Sequence, residues 1–414
     1  MNKMRKLALS LCFILLLGVM LNAASNILEE KSSAEGYSEF WENPGEYDVW
    51  FLGTSHVYDS VYPMELWDKY GIRSYNLGAS ASNMPQTYWT MMCALKYSKP
   101  KVIVLDAYKV QLDVKYQSEK LVHLGMDCIP LSTTKIKGIC DLFDTWGKRF
   151  EYLYNFSIYH NRWEELEEKD FNFQQSPMKG AQFNNNIRDN SKHRLIDKEV
   201  KSDDTDIIGF IYLEKIMEEC RRQGIELVVT AIPFYSTTKQ QSALNAIPEL
   251  AEKHDATFLN MAYENILDYG VDFADKKHTN LFGAKKVTRY FGDYLTEHYD
   301  LEDYRDTPEV SREWNEDFER YLNLRLEEMR KTVELNLYVQ WLSDERYTCY
   351  LYRKKEPEGL LAKEFAQLDN ITLISKEEAE GRLGGEIKGD YAFFVENEKG
   401  EIVDAPVFQQ GLRQ

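Results

Sequence analysis

Short apolar runs that end in glycine or a polar residue alternate with amphipathic stretches between residues 46 and 298. The apolar runs have the length and composition of buried strands, whereas the stretches between them repeat their apolar positions with the period of a helix. Strands that alternate with helices predict a parallel sheet with helices on both faces, an α/β fold. The predicted strands are 46–53, 73–78, 101–108, 225–234 and 256–261, and helices are expected at 86–97, before Gly224, at 239–254 and at 282–298.

Two parts of the chain depart from this alternation. An aromatic and polar insertion at about 109–205 separates the third strand from the fourth. Its length predicts a helical subdomain, either a lid or binding wall or a purely structural element. The segment 306–345 is predicted to be one long charged helix, and 346–414 a small α/β module. The α/β domain itself is 26–305 and includes the insertion. An N-terminal segment, 1–25, precedes it.

The first 25 residues are basic and then apolar. Lys3, Arg5 and Lys6 precede an apolar run from Leu7 to Ala24, which is about long enough to cross a bilayer. Positive charge before such a run favours a cytoplasmic N-terminus, so the rest of the chain is expected on the extracytoplasmic side of the cell membrane. The run is longer than most signal-peptide cores. An uncleaved anchor is therefore favoured over a cleaved signal, which would leave a secreted protein.

Composition and charge exclude several classes of function. The chain has 43% hydrophobic residues, enough for a packed core, and a net charge of −18, which argues against nucleic acid as a partner. Its six cysteines are irregularly spaced, and Cys12 lies in the apolar run, so no disulfide framework is expected. Neither a nucleotide-binding glycine motif nor a metal-ligand spacing occurs. We therefore expect no cofactor and no metal.

Four residues at the ends of predicted elements have the chemistry of acyl transfer. Ser55 ends the first strand, Gly78 ends the second, and Asp275 and His278 precede the last helix of the sheet region. Loops after parallel strands share one edge of the sheet, where ligands usually bind. A serine hydroxyl needs a base such as imidazole to become a nucleophile, and the imidazole needs a carboxylate to orient it.

The same sequence motifs also allow a purely structural interpretation. Ser55 could cap a helix and Gly78 could simply turn the chain. In the catalytic interpretation, the backbone N–H groups of Ser55 and Gly78 are candidate donors to an oxyanion. The order and placement of all four residues together favour the catalytic interpretation.

These residues resemble the conserved blocks of the SGNH (GDSL-like) hydrolase superfamily. Ser55 in LGTSH matches its first block, Gly78 in NLGAS its second, and Asp275 and His278 in DKKH its last. In this superfamily they are the nucleophile, an oxyanion donor, the orienting carboxylate and the base. The resemblance covers about 47–298 and implies a flavodoxin-like three-layer sandwich with five parallel strands.

The third block departs from the superfamily pattern. The superfamily commonly has Gly-x-Asn-Asp there, and the Asn side chain completes the oxyanion hole. The third strand of this chain ends in VLDAYKV and lacks that Asn. Asn83, in the loop of the second block, is the expected substitute. Without a replacement donor, the rate would be about 10²–10³-fold lower.

The N-terminal anchor and the altered third block make the chain similar to the cell-envelope branch of this superfamily, which includes alginate O-acetylation factors and teichoic-acid D-alanylation proteins. That resemblance implies an acylated or acyl-accepting envelope polymer and a membrane-bound O-acyltransferase partner. The motif YHNRW also resembles this branch and implies substrate binding by His160, Arg162 and Trp163. An alternative is a structural helix face with Trp163 packed inward and Arg162 solvated.

The expected function is therefore a serine-dependent O-acyltransferase or acylesterase that acts on an extracellular glycan or teichoic-acid-like polymer. Ser55 would be the nucleophile, His278 the base and Asp275 the orienting group. A catalytically inactive SGNH scaffold that binds the polymer or the acyltransferase partner is the alternative. A structural envelope protein is a third interpretation.

Overall fold

A five-stranded, all-parallel sheet forms the centre of the protein. A computed structural model describes residues 3–28, 40–41, 47–153, 159–171 and 176–414. The strand order is β2-β1-β3-β4-β5, the flavodoxin-like order, and the predicted α/β class is confirmed. The strands are β1 (Val49–Gly53), β2 (Ser74–Gly78), β3 (Val102–Asp106), β4 (Glu226–Ala231) and β5 (Thr257–Asn260).

Both faces of the sheet are buried, which explains the nearly continuous apolar runs of its strands. Side chains alternate between the faces of a strand, so Trp50 and Leu52 pack into one core and Val49 and Phe51 into the other. Helices cover the two faces. The helices are α1 (Lys3–Leu28), α2 (Ser55–Ser60), α3 (Pro63–Tyr70), α4 (Met84–Ala94), α5 (Glu119–Met126), α6 (Thr133–Leu142), α7 (Trp146–Leu153), α8 (Glu168–Phe171), α9 (Ile208–Gln223), α10 (Thr238–Lys253), α11 (Leu281–His298), α12 (Pro308–Lys331), α13 (Leu335–Trp341), α14 (Gly359–Phe365) and α15 (Lys376–Leu383).

The carboxyl ends of the central strands are level with one another. Gly53 at the end of β1 is in register with Gly78 at the end of β2, and Leu52 is in register with Leu105 of β3. Asp106, the last residue of β3, is in register with Thr230 of β4. The loops that follow these strands therefore meet along one edge.

The insertion between β3 and β4 is helical in its first part. It contains α5, α6, α7, a 3₁₀ helix at His160–Glu164 and α8. From residue 176 to residue 207 the chain forms turns and irregular structure. This second, Asn-rich part lies across the loops at the carboxyl edge of the sheet.

The prediction of one long helix at 306–345 is wrong in one respect, because the segment contains two helices. α12 ends at Lys331 and α13 begins at Leu335. The three residues between them are extended and pair with the C-terminus, since Arg413 N–H donates to the carbonyl of Val333 (2.8 Å). The hydroxyl of Thr332 also bonds back to the carbonyl of Glu328 (2.8 Å), a bond that competes with helix continuation.

A second, six-stranded mixed sheet of short strands follows α13. Its strand order is β11-β10-β8-β6-β7, and β9 pairs with β8. The indole of Trp314 in α12 packs against that of Trp67 in α3, with 5.1 Å between ring centroids, and so joins this region to the first sheet. The strands are β6 (Thr348–Arg353), β7 (Ile371–Leu373), β8 (Tyr391–Glu396), β9 (Ile402–Asp404), β10 (Val407–Gln409) and β11 (Leu412–Arg413).

Helix α1 is long and apolar enough to cross a membrane. The candidate span, Met4–Ser25, has 22 residues, and an 18-residue window within it has a mean hydropathy of 2.4. The side chains of this stretch are largely exposed up to Met20. These properties fit either an anchor or a signal sequence.

Candidate active site

The turn between β1 and α2 places Ser55 at the carboxyl edge of the sheet. Gly53 has a φ of +148°, a conformation that disfavours side chains, and a Cβ there would lie 2.8 Å from Val57 and 3.1 Å from Asp106. The side chain of Thr54 then caps α2 by accepting from the N–H of His56 (3.2 Å). Ser55 is thereby the first residue of α2, and its side chain is half-buried.

Ser55, His278 and Asp275 form a continuous chain of hydrogen bonds. The Ser55 Oγ lies 2.8 Å from Nε2 of His278, and Nδ1 of His278 lies 2.8 Å from Oδ2 of Asp275. Because an ionised carboxylate can only accept, Nδ1 carries the proton and Nε2 is free to accept from the serine hydroxyl. The three side chains predicted from the sequence to act together are therefore brought together, across 223 positions of the chain in the case of Ser55 and His278.

The loop before α11 holds Asp275 in an ionised form. Its Oδ1 accepts from the backbone N–H groups of Lys277 (2.6 Å) and His278 (2.9 Å), which leaves Oδ2 for the imidazole. Burial alone would raise the pKa of this carboxyl. The hydrogen bonds from Lys277 and His278 outweigh burial and lower the pKa of Asp275 below its ordinary value. A carboxylate in this state holds the imidazole in one tautomer and stabilises its protonated form.

Gly78 and Asn83, predicted to bind an oxyanion, have clear structural roles. A Cβ at Gly78 would lie 2.7 Å from the carbonyl oxygen of Thr54, so only glycine lets β2 end against the turn that carries Ser55. Asn83 is 1% exposed, and its Nδ2 donates to the carbonyl of Val114 (3.1 Å). This bond uses one of the two N–H groups of the amide that was expected to replace the missing third-block Asn.

Tyr58 is a neighbour of Ser55 that the sequence analysis missed. It lies one helical turn after Ser55 in α2, near enough to the hydroxyls of Ser80 and Ser55 for both to oppose the rise of its pKa. Burial, and after it the charge of Asp59, raises the pKa of Tyr58, so the phenol keeps its proton. The spacing of three residues at the start of a helix was the signal that could have identified it.

Two further acidic groups are buried near the site, one beside His278 and the other beside His56. Asp59 Oδ2 lies 3.9 Å from His278 Nε2, and burial raises the pKa of Asp59 to about 8. Asp106 lies 3.7 Å from His56, and burial raises its pKa to about 7. Burial also holds the pKa of His56 well below its ordinary value, and the nearby His278 and Lys109 add to this effect. The neutral His56 ring packs edge-on against that of His278, with 5.7 Å between centroids.

The Asn-rich end of the insertion supports the loop that carries Asp275. The Nδ2 of Asn190 donates to the backbone carbonyl of Asp275 (2.7 Å), and Asn184 lies near enough to Asp59 to oppose the rise of its pKa. The C-terminal region contacts the same segment, because Gln340 Nε2 donates to the carbonyl of Asn185 (2.7 Å). The insertion and the C-terminal region thus both contribute to the geometry of this edge.

The structural alternative for the YHNRW motif is wrong, and substrate binding by His160, Arg162 and Trp163 stays a prediction. Arg162 donates to the carbonyl of Leu28 at the end of α1 (2.6 Å) and to the carboxylate of Asp170 (3.1 Å), so it is neither solvated nor directed at the hydrogen-bonded chain around Ser55. Trp163 is 64% exposed and therefore is not packed inward. His160 is exposed on the same 3₁₀ helix. Arg162 ties the insertion to α1.

One group of side chains in the described part of the chain has ligand atoms close enough to hold a metal ion. It consists of Glu214, Glu218 and His254, on α9 and just after α10, away from the carboxyl edge that carries Ser55. Glu214 already pairs with the ammonium of Lys253 (2.6 Å) and with His254 (2.9 Å). These contacts account for the cluster as an ion-pair network, and nothing about it points to a ligand.

The buried carboxyl of Asp59 should make stability depend on pH. Its pKa is higher in the folded chain than in the unfolded chain, so the unfolded chain binds fewer protons and stability falls as pH rises from about 4 to about 8. Asp59→Asn removes this loss. We expect the variant to gain stability over the wild type progressively between pH 5 and pH 8, by up to about 1.4 kcal/mol per pH unit.

Denaturant unfolding of the full chain in detergent, measured at several pH values, checks this expectation. Asp300→Asn, at an exposed carboxyl, is the matched control and should differ from the wild type by a constant amount. A constant difference for Asp59→Asn as well would show that Asp59 is ionised throughout this range.

Comparison with known proteins adds no family assignment. No family model matches the sequence, and no curated protein matches it. The proposals below therefore rest on the residues and their geometry.

Proposed function

We propose that the protein is a serine-dependent O-acyltransferase or acylesterase of the cell envelope. The observation that carries the proposal is the hydrogen-bonded chain from Ser55 through His278 to Asp275 at the carboxyl edge of a parallel sheet. A serine that donates to a neutral imidazole, itself oriented by an ionised carboxylate, is the arrangement that makes a hydroxyl nucleophilic.

In the proposed reaction, Ser55 Oγ attacks the carbonyl carbon of an acyl ester while His278 Nε2 takes the hydroxyl proton. The imidazolium then gives this proton to the departing alkoxide, which leaves as an alcohol. The acyl group remains on Ser55 as an ester. A sugar hydroxyl or water, deprotonated by His278, attacks the acyl group and releases the serine. Throughout, Asp275 stabilises the positive charge on the ring.

Donors for the oxyanion are proposed on α2. The first N–H groups of a helix have no acceptor within it, so the N–H of Ser55 suits this role. The phenol of Tyr58, protonated and beside Ser55, is the second proposed donor, in place of the Asn that the third block lacks. Lys109 and Lys277 add positive charge near the site, because the charges of both lower the pKa of His56.

Tyr58→Phe tests the second donor. The variant keeps the ring and its packing and removes the hydroxyl, so we expect kcat/KM for an acyl ester to fall about 10- to 100-fold with little change in the unfolding temperature. Tyr70→Phe is the matched control, because its phenol bonds Asp293 on α11 (2.7 Å), and it should retain activity. Equal activity of both variants would remove Tyr58 from the oxyanion site.

The location is proposed from α1 and its flanking charge. With α1 in the membrane and Lys3, Arg5 and Lys6 on the cytoplasmic side, the α/β domain lies outside the cytoplasm. Envelope glycans or teichoic-acid-like polymers are the acceptors within its reach. A membrane-bound O-acyltransferase is the proposed acyl source.

Turnover of p-nitrophenyl acetate by the full chain in detergent tests the proposal. We expect release of p-nitrophenol above background, and a sugar polyol added to the assay should collect part of the acetate if transfer competes with hydrolysis. Release no faster than from heat-denatured protein would contradict an enzyme with this substrate class. Such a result would favour the alternative of an inactive scaffold. The hydrogen bond from the Asn83 amide to the carbonyl of Val114 also favours this alternative.

A further inference from the structure

The end of α1 is fixed to the insertion rather than free of the domain. Leu28 and Ser25, in the last turns of α1, are each 8% exposed, whereas Met20 is 69% exposed. Arg162 donates to the carbonyl of Leu28 and also binds the carboxylate of Asp170, which lies in α8. The last turn of α1, the 3₁₀ helix at His160–Glu164 and α8 therefore form one packed unit, which we call the anchor junction.

The length of α1 places this junction at the surface of the bilayer. The apolar run Leu7–Ala24 has 18 residues, about 27 Å at 1.5 Å per residue, close to the roughly 30 Å of a hydrocarbon core. The hydrocarbon boundary thus falls near Ser25, within one turn of Leu28. Elements packed on that turn lie in the interfacial layer.

Large aromatic side chains are exposed at the anchor junction. Trp163 is 64% exposed and Phe171 is 61% exposed, on the two elements that pack against α1. Exposed rings of this size are unfavourable in water and are enriched where proteins meet the membrane interface. Five acidic residues (Glu164, Glu165, Glu167, Glu168 and Asp170) and one lysine lie between them, so attraction to anionic lipid is not the source of the contact.

We propose that the anchor junction docks on the lipid surface, with Trp163 and Phe171 inserted among the headgroups as a second membrane contact beside α1. The inference uses α1 as a membrane span and goes beyond the proposed chemistry. The insertion begins directly after β3. The carboxyl end of β3 lies at the same edge of the sheet as Ser55. Docking would therefore hold that edge at a fixed distance from the bilayer.

Quenching of tryptophan fluorescence by brominated phosphatidylcholine tests this proposal, with the full chain in lipid nanodiscs. The protein has eight tryptophans, and α1 has none. Among the described residues, Trp163 and Trp146 are the tryptophans with large exposure, at 64% and 78%. Trp146 lies on α7, outside the anchor junction, so Trp146→Phe is the matched control for Trp163→Phe.

We expect bromolipid to quench the wild type and Trp163→Phe to lose most of that quenching, whereas Trp146→Phe loses less. The quenching should persist at high salt and without anionic lipid. Unfolding temperatures should be unchanged, because both side chains are exposed. Quenching that Trp163→Phe leaves intact, or that falls equally in both variants, would overturn the proposal.

Discussion

Replacing Ser55 with alanine is expected to lower kcat/KM for an acyl ester by about 10⁴-fold or more, to near the background rate. The variant removes the nucleophile, and His278 and Asp275 then have no hydroxyl to activate. Because Ser55 is half-buried at the start of α2 and Thr54 supplies the helix cap, the fold should not depend on its hydroxyl. The comparison is made with full chain in detergent.

Ser60→Ala is the matched control for this loss. Ser60 lies in the same helix, is buried, and bonds the hydroxyl of Thr279 (2.9 Å), the residue after His278. Its replacement should cost about 1 kcal/mol of stability and change kcat/KM by less than about tenfold. Equal loss in both variants would mean that α2 merely needs its hydroxyls for packing, and the nucleophile assignment would fail.

Replacing Asp275 with asparagine is expected to have the second largest effect, a fall in kcat of about 10²- to 10⁴-fold. Oδ1 of Asp275 accepts two backbone N–H groups, so the asparagine oxygen should occupy that position and its NH₂ should face His278 Nδ1. The amide would then donate to Nδ1, the ring proton would move to Nε2, and Nε2 could no longer accept from Ser55.

Asp59→Asn separates this effect from the loss of any carboxyl near the imidazole. Asp59 also faces His278, at 3.9 Å, and its pKa of about 8 keeps it protonated at pH 7. An amide there resembles the protonated acid, so kcat at pH 7 should change only a few-fold. Comparable losses in Asp59→Asn and Asp275→Asn would contradict the assigned orienting role.

The sequence predicted the sheet and the three linked side chains for physical reasons. Strands buried on both faces must be apolar throughout, and their carboxyl ends must share an edge, so Ser55 could be placed near Gly78 before any coordinates were known. The partnership of Asp275 and His278 is local, over three residues. Their approach to Ser55 follows from the shared edge of the sheet.

Other parts of the site could not be predicted, because long-range packing decides them. Nothing local to Asn83 shows that its amide is used by Val114. The contact of Arg162 with the end of α1 joins residues 134 positions apart, and Asn184 acts on Asp59 from the far end of the insertion. The break between α12 and α13 was missed because the pairing of Val333 with Arg413 comes from the far end of the chain.

Labelling with a fluorophosphonate tests the central claim most directly, because the reagent reacts with an activated serine whatever the natural acyl group is. We expect that the full chain gains one adduct, that peptide mapping places it on Ser55, and that His278→Ala and Asp275→Asn slow its formation as they slow turnover. No adduct on Ser55 in folded protein, or labelling that is unchanged in His278→Ala, would contradict the claim that Ser55 is an activated nucleophile.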